Sequence, residues 1–243
     1  MNIFFSTATG LFFGTIGTFL GGLIGVSIKK ISNKFLSFVL ALASGLMLAV
    51  ICFELLPEAR IKSSNFNILF GLFTGIVTMI ICDILVDRKL EKYNHPLSTI
   101  LKTGIVVSIG LAIHNIPEGL AIGTGLENSI KLGYSLALTI AFHDIPEGIS
   151  MAAPMKKSGI KSWKILLYVF LSGIATGVGA LFGSIFGSIS SSTLAFNLAF
   201  AAGAMLYIVS GELTPEYSKL CSEKISAIAN LLGFILGYAA THI

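Results

Sequence analysis

Charge is what this sequence has least of. Asp, Glu, Lys and Arg make up 12% of its 243 residues and hydrophobic residues 54%, whereas a water-soluble domain carries roughly 25% charged residues. Such a chain cannot cover its surface with polar groups, which excludes a soluble globular domain and points to a lipid bilayer. Cysteine is scarce too. Cys52, Cys82 and Cys221 are too few for a disulfide framework, and the first two read as buried thiols inside apolar runs. No charged residue precedes Lys29. The apolar run from Ile3 to Ile28 therefore lacks the basic start of a signal peptide, and it is long enough to be a retained transmembrane helix.

What is present is length in apolar runs and 26 glycines, the small residues that let membrane helices approach closely. A span needs about 20 mostly apolar residues. Eight stretches qualify: 4–28, 35–56, 66–86, 99–123, 130–154, 163–188, 193–214 and 225–242. The connections are short, so residues 1–243 are expected to form one all-α polytopic domain. All of the 16 basic residues except Arg60, Lys62 and Lys131 fall in one set of alternate connections. Basic residues mark the cytoplasmic side, so both termini are expected outside. The same lysines account for the net charge of +4 without any nucleic-acid partner.

Repetition organises the chain. Gly45, Met47, Leu48, Glu54, Leu55, Pro57 and Glu58 recur 158 residues later as Gly203, Met205, Leu206, Glu212, Leu213, Pro215 and Glu216. Gly17, Gly21 and Gly25 give a weaker echo in Gly179, Gly183 and Gly187, at an offset of 162. The central spans carry His114-Asn115-Ile116-Pro117-Glu118-Gly119 and His143-Asp144-Ile145-Pro146-Glu147-Gly148. The expected plan is three spans, a central pair, then three spans inverted, a recurrent transporter design with its site near the midplane.

Residues four apart share a helix face, so His114 with Glu118, and His143 with Glu147, point together, and Asn115 and Asp144 reach the neighbouring edge. Each proline frees the carbonyl four residues earlier, and the glycine that follows the glutamate is expected to ease a kink. Three carboxylates (Glu118, Asp144 and Glu147) near the bilayer centre would each cost about 2.5 kcal/mol or more. A bound dication would neutralise them, and imidazole with carboxylate suits Zn, Fe or Mn. Taken singly, Met47 and Met205 read as packing residues, and Glu54 and Glu212 as span-end carboxylates that snorkel to water.

Those blocks, with Gly45-Leu46-Met47-Leu48 and with Ala202-Gly203-Ala204-Met205-Leu206 leading to Glu212, resemble the ZIP (Zrt-, Irt-like) family of metal transporters along essentially the whole chain. The resemblance implies eight spans with both ends outside and a binuclear site between spans four and five. It implies a first ion held by His114, Glu118, His143 and Glu147 with Met47 close by. A second would use Asn115, Asp144 and the bridging Glu118 and Glu147. It also implies that zinc, iron, manganese or similar cations such as cadmium move through the plasma membrane toward the cytoplasm, and that two copies of the chain can pair. Two departures stand out. Where bacterial relatives carry Glu-Pro in span six, this chain has Thr176-Gly177, leaving a neutral oxygen in place of a charged ligand. Gly211 stands before Glu212 where relatives often have His. A His-rich loop is absent, since the third connection holds only His95.

The mechanism expected is alternating access, with the ion entering near Glu54 and Met47 and leaving past Asp83 or Glu212. The ion is then substrate, and no catalytic cofactor is expected. Two other readings use the same site. A metal-gated channel or sensor would do without alternation. An intramembrane metalloenzyme is disfavoured, because the His-Glu-x-x-His of zinc proteases does not occur and neither block offers a spare general base.

Overall fold

Several helices start where a side chain can satisfy the free N–H groups of a first turn. Asn2 Oδ1 accepts from the Phe4 amide at 3.0 Å, and Ser32 Oγ accepts from Phe35 at 3.2 Å. Ser190 Oγ accepts from Thr193 at 3.1 Å. The structure, a computed structural model, describes residues 2–28, 32–92, 99–157, 159–221 and 223–240, without the side chains of 86–92, 99–111, 154, 157 and 223. Lys29, Lys30, His95 and the last two residues of the expected eighth span lie outside it.

Among the described residues every regular element is helical. They are α1 (Ile3–Ser27), α2 (Asn33–Val50), α3 (Leu56–Lys62), α4 (Asn65–Lys92), α5 (Thr99–Asn128), α6 (Ile130–Lys157), α7 (Ser162–Gly187), α8 (Ser191–Tyr207), α9 (Thr214–Leu220) and α10 (Glu223–Ala240). The expected second and seventh spans do not stop at 56 and 214. Each passes through a π-helical turn, Ile51–Leu55 or Ile208–Leu213, and continues as α3 or α9. The reason is proline. Pro57 and Pro215 stand in the first turn after the π segment, where a missing N–H and a bulky ring are tolerated if the preceding turn widens. Within each wide turn the bonds reach five residues back, from Leu56 N–H to the Ile51 carbonyl and from Thr214 N–H to that of Val209. The turns carry Glu54 and Glu212.

Glycine contacts reveal how the halves correspond. A Cβ on Gly21 of α1 would strike the carbonyl oxygen of Ile145 in α6, and one on Gly179 of α7 would strike that of Ile116 in α5. The contacts recur from the other side: Gly148 meets the Thr18 carbonyl, and Gly119 that of Thr176. Likewise Gly45 of α2 meets the Asn230 carbonyl of α10, and Gly203 of α8 that of Leu72 in α4. Thr18 and Thr176, Gly21 and Gly179, Gly45 and Gly203, and Leu72 and Asn230 all stand 158 positions apart.

One expectation changes here. The first and sixth spans match at 158, one helical turn from the 162 read off their glycines. Glycines spaced four apart look the same after a shift of four, so only contacts fix the register. Gly119 and Gly148 are close-approach positions, where two backbones touch without a side chain between them.

Helices α1, α5, α6 and α7 pack on one another, while α2 packs on α10 and α4 on α8. The two groups meet where α5 crosses α8 and α6 crosses α2. Five helical stretches among the described residues are long and apolar enough to cross a membrane: Ile3–Ser27, Asn33–Lys62, Asn65–Leu85, Ser162–Gly187 and Ser191–Leu220. The polar motifs sit on α5 and α6, against this apolar surround.

Candidate metal centre

Only Ser129 separates α5 from α6, so the two helices form a hairpin. His143 Nε2 lies 2.9 Å from Glu118 Oε1, a hydrogen bond across it, and 3.5 Å from Asp144 Oδ1. Glu118, His143 and Asp144 each offer a ligand atom within 4.8 Å of the others. All three are fully buried, and Glu147 is 1% exposed. Asp144 is held down by α1, where only a glycine fits: a Cβ on Gly17 would stand 2.8 Å from the Asp144 Cβ.

Among the described residues, the buried side-chain atoms without a hydrogen-bond partner are mostly acceptors. They include Glu118 Oε2, both oxygens of Asp144 and both of Glu147. Asn115 joins them. Its Nδ2 donates to the Ser172 carbonyl at 3.0 Å, which leaves Oδ1 as the unpartnered end of the amide. A buried acceptor left unpaired costs about 1–3 kcal/mol, and an unpaired buried charge costs more. No Lys or Arg occurs in α6 between Lys131 and Lys156 to offset this. A cation among these oxygens would, and one imidazole with several carboxylate oxygens is a donor set that zinc, iron and manganese accept.

The other candidates are distributed around this cluster. His114 Nε2 lies 3.0 Å from Glu212 Oε2, which ties this histidine to the π turn before α9. Glu212 is about one-third exposed, at 32% of its side chain. Glu54 is only 4% exposed, against the expectation of a snorkelling carboxylate. It accepts a hydrogen bond from Ser135 of α6, because the π turn swings it toward the hairpin. Met47 and Met205 are fully buried in the main apolar cluster. The Thr176 side chain is packed on Gly14 of α1, with its hydroxyl buried and unpartnered. Asp83 Oδ2 accepts from the Tyr207 hydroxyl at 2.6 Å.

Ser135 and Tyr207 were not picked out from sequence. Ser135 carried a readable signal, since Ser135, Thr139, His143 and Glu147 form a polar stripe at four-residue spacing along α6. Tyr207 carried none, because its partner comes from a helix 124 positions away.

The chain is similar to known proteins along most of its length. The family model described as ZIP Zinc transporter matches residues 87–243, which include both central motifs, α8 and Glu212. The zinc transporter ZupT of Akkermansia muciniphila is 32% identical over 91% of each chain. The ZupT of Corynebacterium aurimucosum is 33% identical over 82% of each. The protein zntB of Dictyostelium discoideum is 27% identical over 95% of this chain and 80% of its own. Matches of this extent, joined to the paired His-x-x-Pro-Glu-Gly blocks on one hairpin, make this membrane chain a member of the ZIP zinc transporter family.

Proposed function

We propose that the protein carries divalent transition-metal ions, zinc foremost and iron, manganese and cadmium as related cargo, through the plasma membrane into the cytoplasm by alternating access. The observation that carries this reading is the group of buried, unpartnered acceptor oxygens on Asn115, Glu118, Asp144 and Glu147, with the His143 imidazole among them. It is a site built for a cation and left without one of the chain's own. That the relatives are named zinc transporters supports zinc.

In this reading α1, α2 with α3, α4, α5, α6, α7, α8 with α9, and α10 are the eight spans, three and three around a central pair. The lysine-rich connections face the cytoplasm and both termini face outward. Glu118, His143 and Glu147 hold the ion, with His114 joining them when it is not paired with Glu212. Asn115 and Asp144 form an adjoining position. Of the two related carboxylates, Glu54 is buried against Ser135 and Glu212 is one-third exposed, while the central ligands are shielded from solvent. That difference supports an inward-facing arrangement of the alternating pair. Pairing of His114 with Glu212 removes one imidazole from the ion and so favours release.

Purified protein in liposomes tests the reading. Saturable zinc uptake that competes with iron, manganese and cadmium is the expected result. Ohmic flux without saturation would make the protein a channel, and the absence of any flux would contradict transport.

A further inference from the structure

The helices that pack with α1 and those that pack with α2 and α8 are each held together by backbone contacts at glycine, such as Gly21 with Ile145 and Gly203 with Leu72. Carboxylates bridge the boundary between the two groups. Glu212 of the second π turn reaches His114 of α5. The first π turn and α3 supply two more, and both reach the turn of the α5–α6 hairpin. Asn128 Nδ2, at the end of α5, donates to Glu58 Oε2 at 2.9 Å. Ser135 Oγ of α6 donates to Glu54 Oε1. Glu54 and Glu58 stand four residues apart, and their partners stand on either side of Ser129, so the hairpin is gripped on both arms. A carboxylate acceptor makes each bond charge-assisted, roughly twice as strong as a neutral one.

The grip is built to let go. Glu54 is 4% exposed and its second oxygen has no hydrogen-bond partner, so this carboxylate regains solvation when it leaves the hairpin. The equivalent places in the other half, Glu212 and Glu216, do not repeat it. Glu212 is 32% exposed on its bond to His114, and Glu216 is exposed. We infer that Glu54 and Glu58 form a clasp on the hairpin turn: their bonds to Ser135 and Asn128 hold the ligand-bearing hairpin against the π turn and α3, and they release before the hairpin takes its other position. This rests on the transport reading, in which the hairpin holds the ion. Leu132 of α6 lies between the two bonded residues, 9% exposed within the main apolar cluster, and release of the clasp is expected to uncover it.

Thiol labelling in detergent reads the clasp without transport. In a chain whose three cysteines are replaced by serine, Leu132→Cys is expected to react slowly. Asn128→Asp sets two carboxylates against each other, and labelling at 132 is expected to rise about tenfold, the factor that a hydrogen bond to a charged group contributes. Adding Glu58→Gln to Asn128→Asp exchanges donor and acceptor across the same gap, and the starting rate is expected to return. A merely structural role would speed labelling equally at a buried reporter elsewhere, Leu40→Cys of α2. Equal labelling at 132 in all three chains, or an equal rise at 40, overturns the clasp. In vesicles, Glu58→Cys with Asn128→Cys is expected to carry zinc until a short cleavable thiol cross-linker joins the two positions, and again once it is cut. Where wild type transports, uptake unaffected by joining, or absent before it, also overturns the clasp. Wild-type vesicles that accumulate no zinc overturn the transport reading, while labelling still decides the clasp.

Discussion

Glu54 and Glu212 stand 158 residues apart at equivalent places in two related halves, yet they hold different partners. Glu212 meets His114 at 3.0 Å, while Glu54 accepts from Ser135, eight residues along α6 from His143. Eight residues of helix rise about 12 Å. Exact symmetry would give Glu54 the His143 side chain, and instead His143 is bonded to Glu118. Two copies of one design thus hold different partners, an asymmetry that fits the alternating access proposed above.

The outer seal is testable through Ser135. With Cys52, Cys82 and Cys221 replaced by serine, Ser135→Cys is expected to resist an impermeant thiol reagent applied from outside. Ser210→Cys, exposed within the π turn beside Glu212, is expected to react from the cytoplasmic side. Rapid labelling of position 135 from outside, or of position 210 only from outside, would contradict the closed face or the orientation.

Removing a central carboxylate is expected to abolish transport without unfolding the chain. Glu118→Ala and Glu147→Ala each take away a proposed ligand, and even outer supports of metal ligands cost about 10–100-fold when lost. Zinc uptake in each variant is expected to drop by at least that factor, while the amount inserted stays at the wild-type level. Ordinary uptake by both variants would remove the proposed site.

Close backbone approach sets a second group of expectations. Gly119→Ala and Gly148→Ala each drive a methyl group into a carbonyl of α7 or α1, and overpacking of this kind costs about 1–3 kcal/mol. Thermal unfolding in detergent is expected several degrees below wild type for both. Gly211→Ala meets only the Tyr207 ring at 3.4 Å, so its stability is expected within about 0.5 kcal/mol of wild type. Equal stability of all three would show that the helices have room to spare.

Thr176 bears on selectivity. Thr176→Glu places a carboxylate beside the cluster, where Asn115 and Asp144 supply one amide and one acidic group. Competition uptake among zinc, iron, manganese and cadmium is expected to show a changed order of preference. An unchanged order would mean that position 176 serves only to pack against Gly14.

Much of this was legible in residues that repeat. The His-x-x-x-Glu spacing puts His143 and Glu147 on one face of α6, and Glu118 of the facing helix lies 2.9 Å from His143. Other features were hidden for physical reasons. The expected second and seventh spans end at 56 and 214, just before Pro57 and Pro215, but a π turn precedes each proline and the helix continues. Glu54 reads as a span-end carboxylate until that turn buries it. Glycines at every fourth position cannot report register, so the 158 offset of α1 and α7 emerges only where Gly21 meets Ile145 and Gly179 meets Ile116. The pairing of His114 with Glu212 was hidden because Glu212 comes from a segment far along the chain.

The account depends on buried acceptors of α5 and α6 being held together by a dication. Crystals grown with zinc, with data collected at the zinc absorption edge, test it most directly. An anomalous peak within about 2.0–2.2 Å of a Glu118 oxygen and of a His143 nitrogen is the predicted result. Those side chains turned away from each other, with no peak between the two helices, would contradict it.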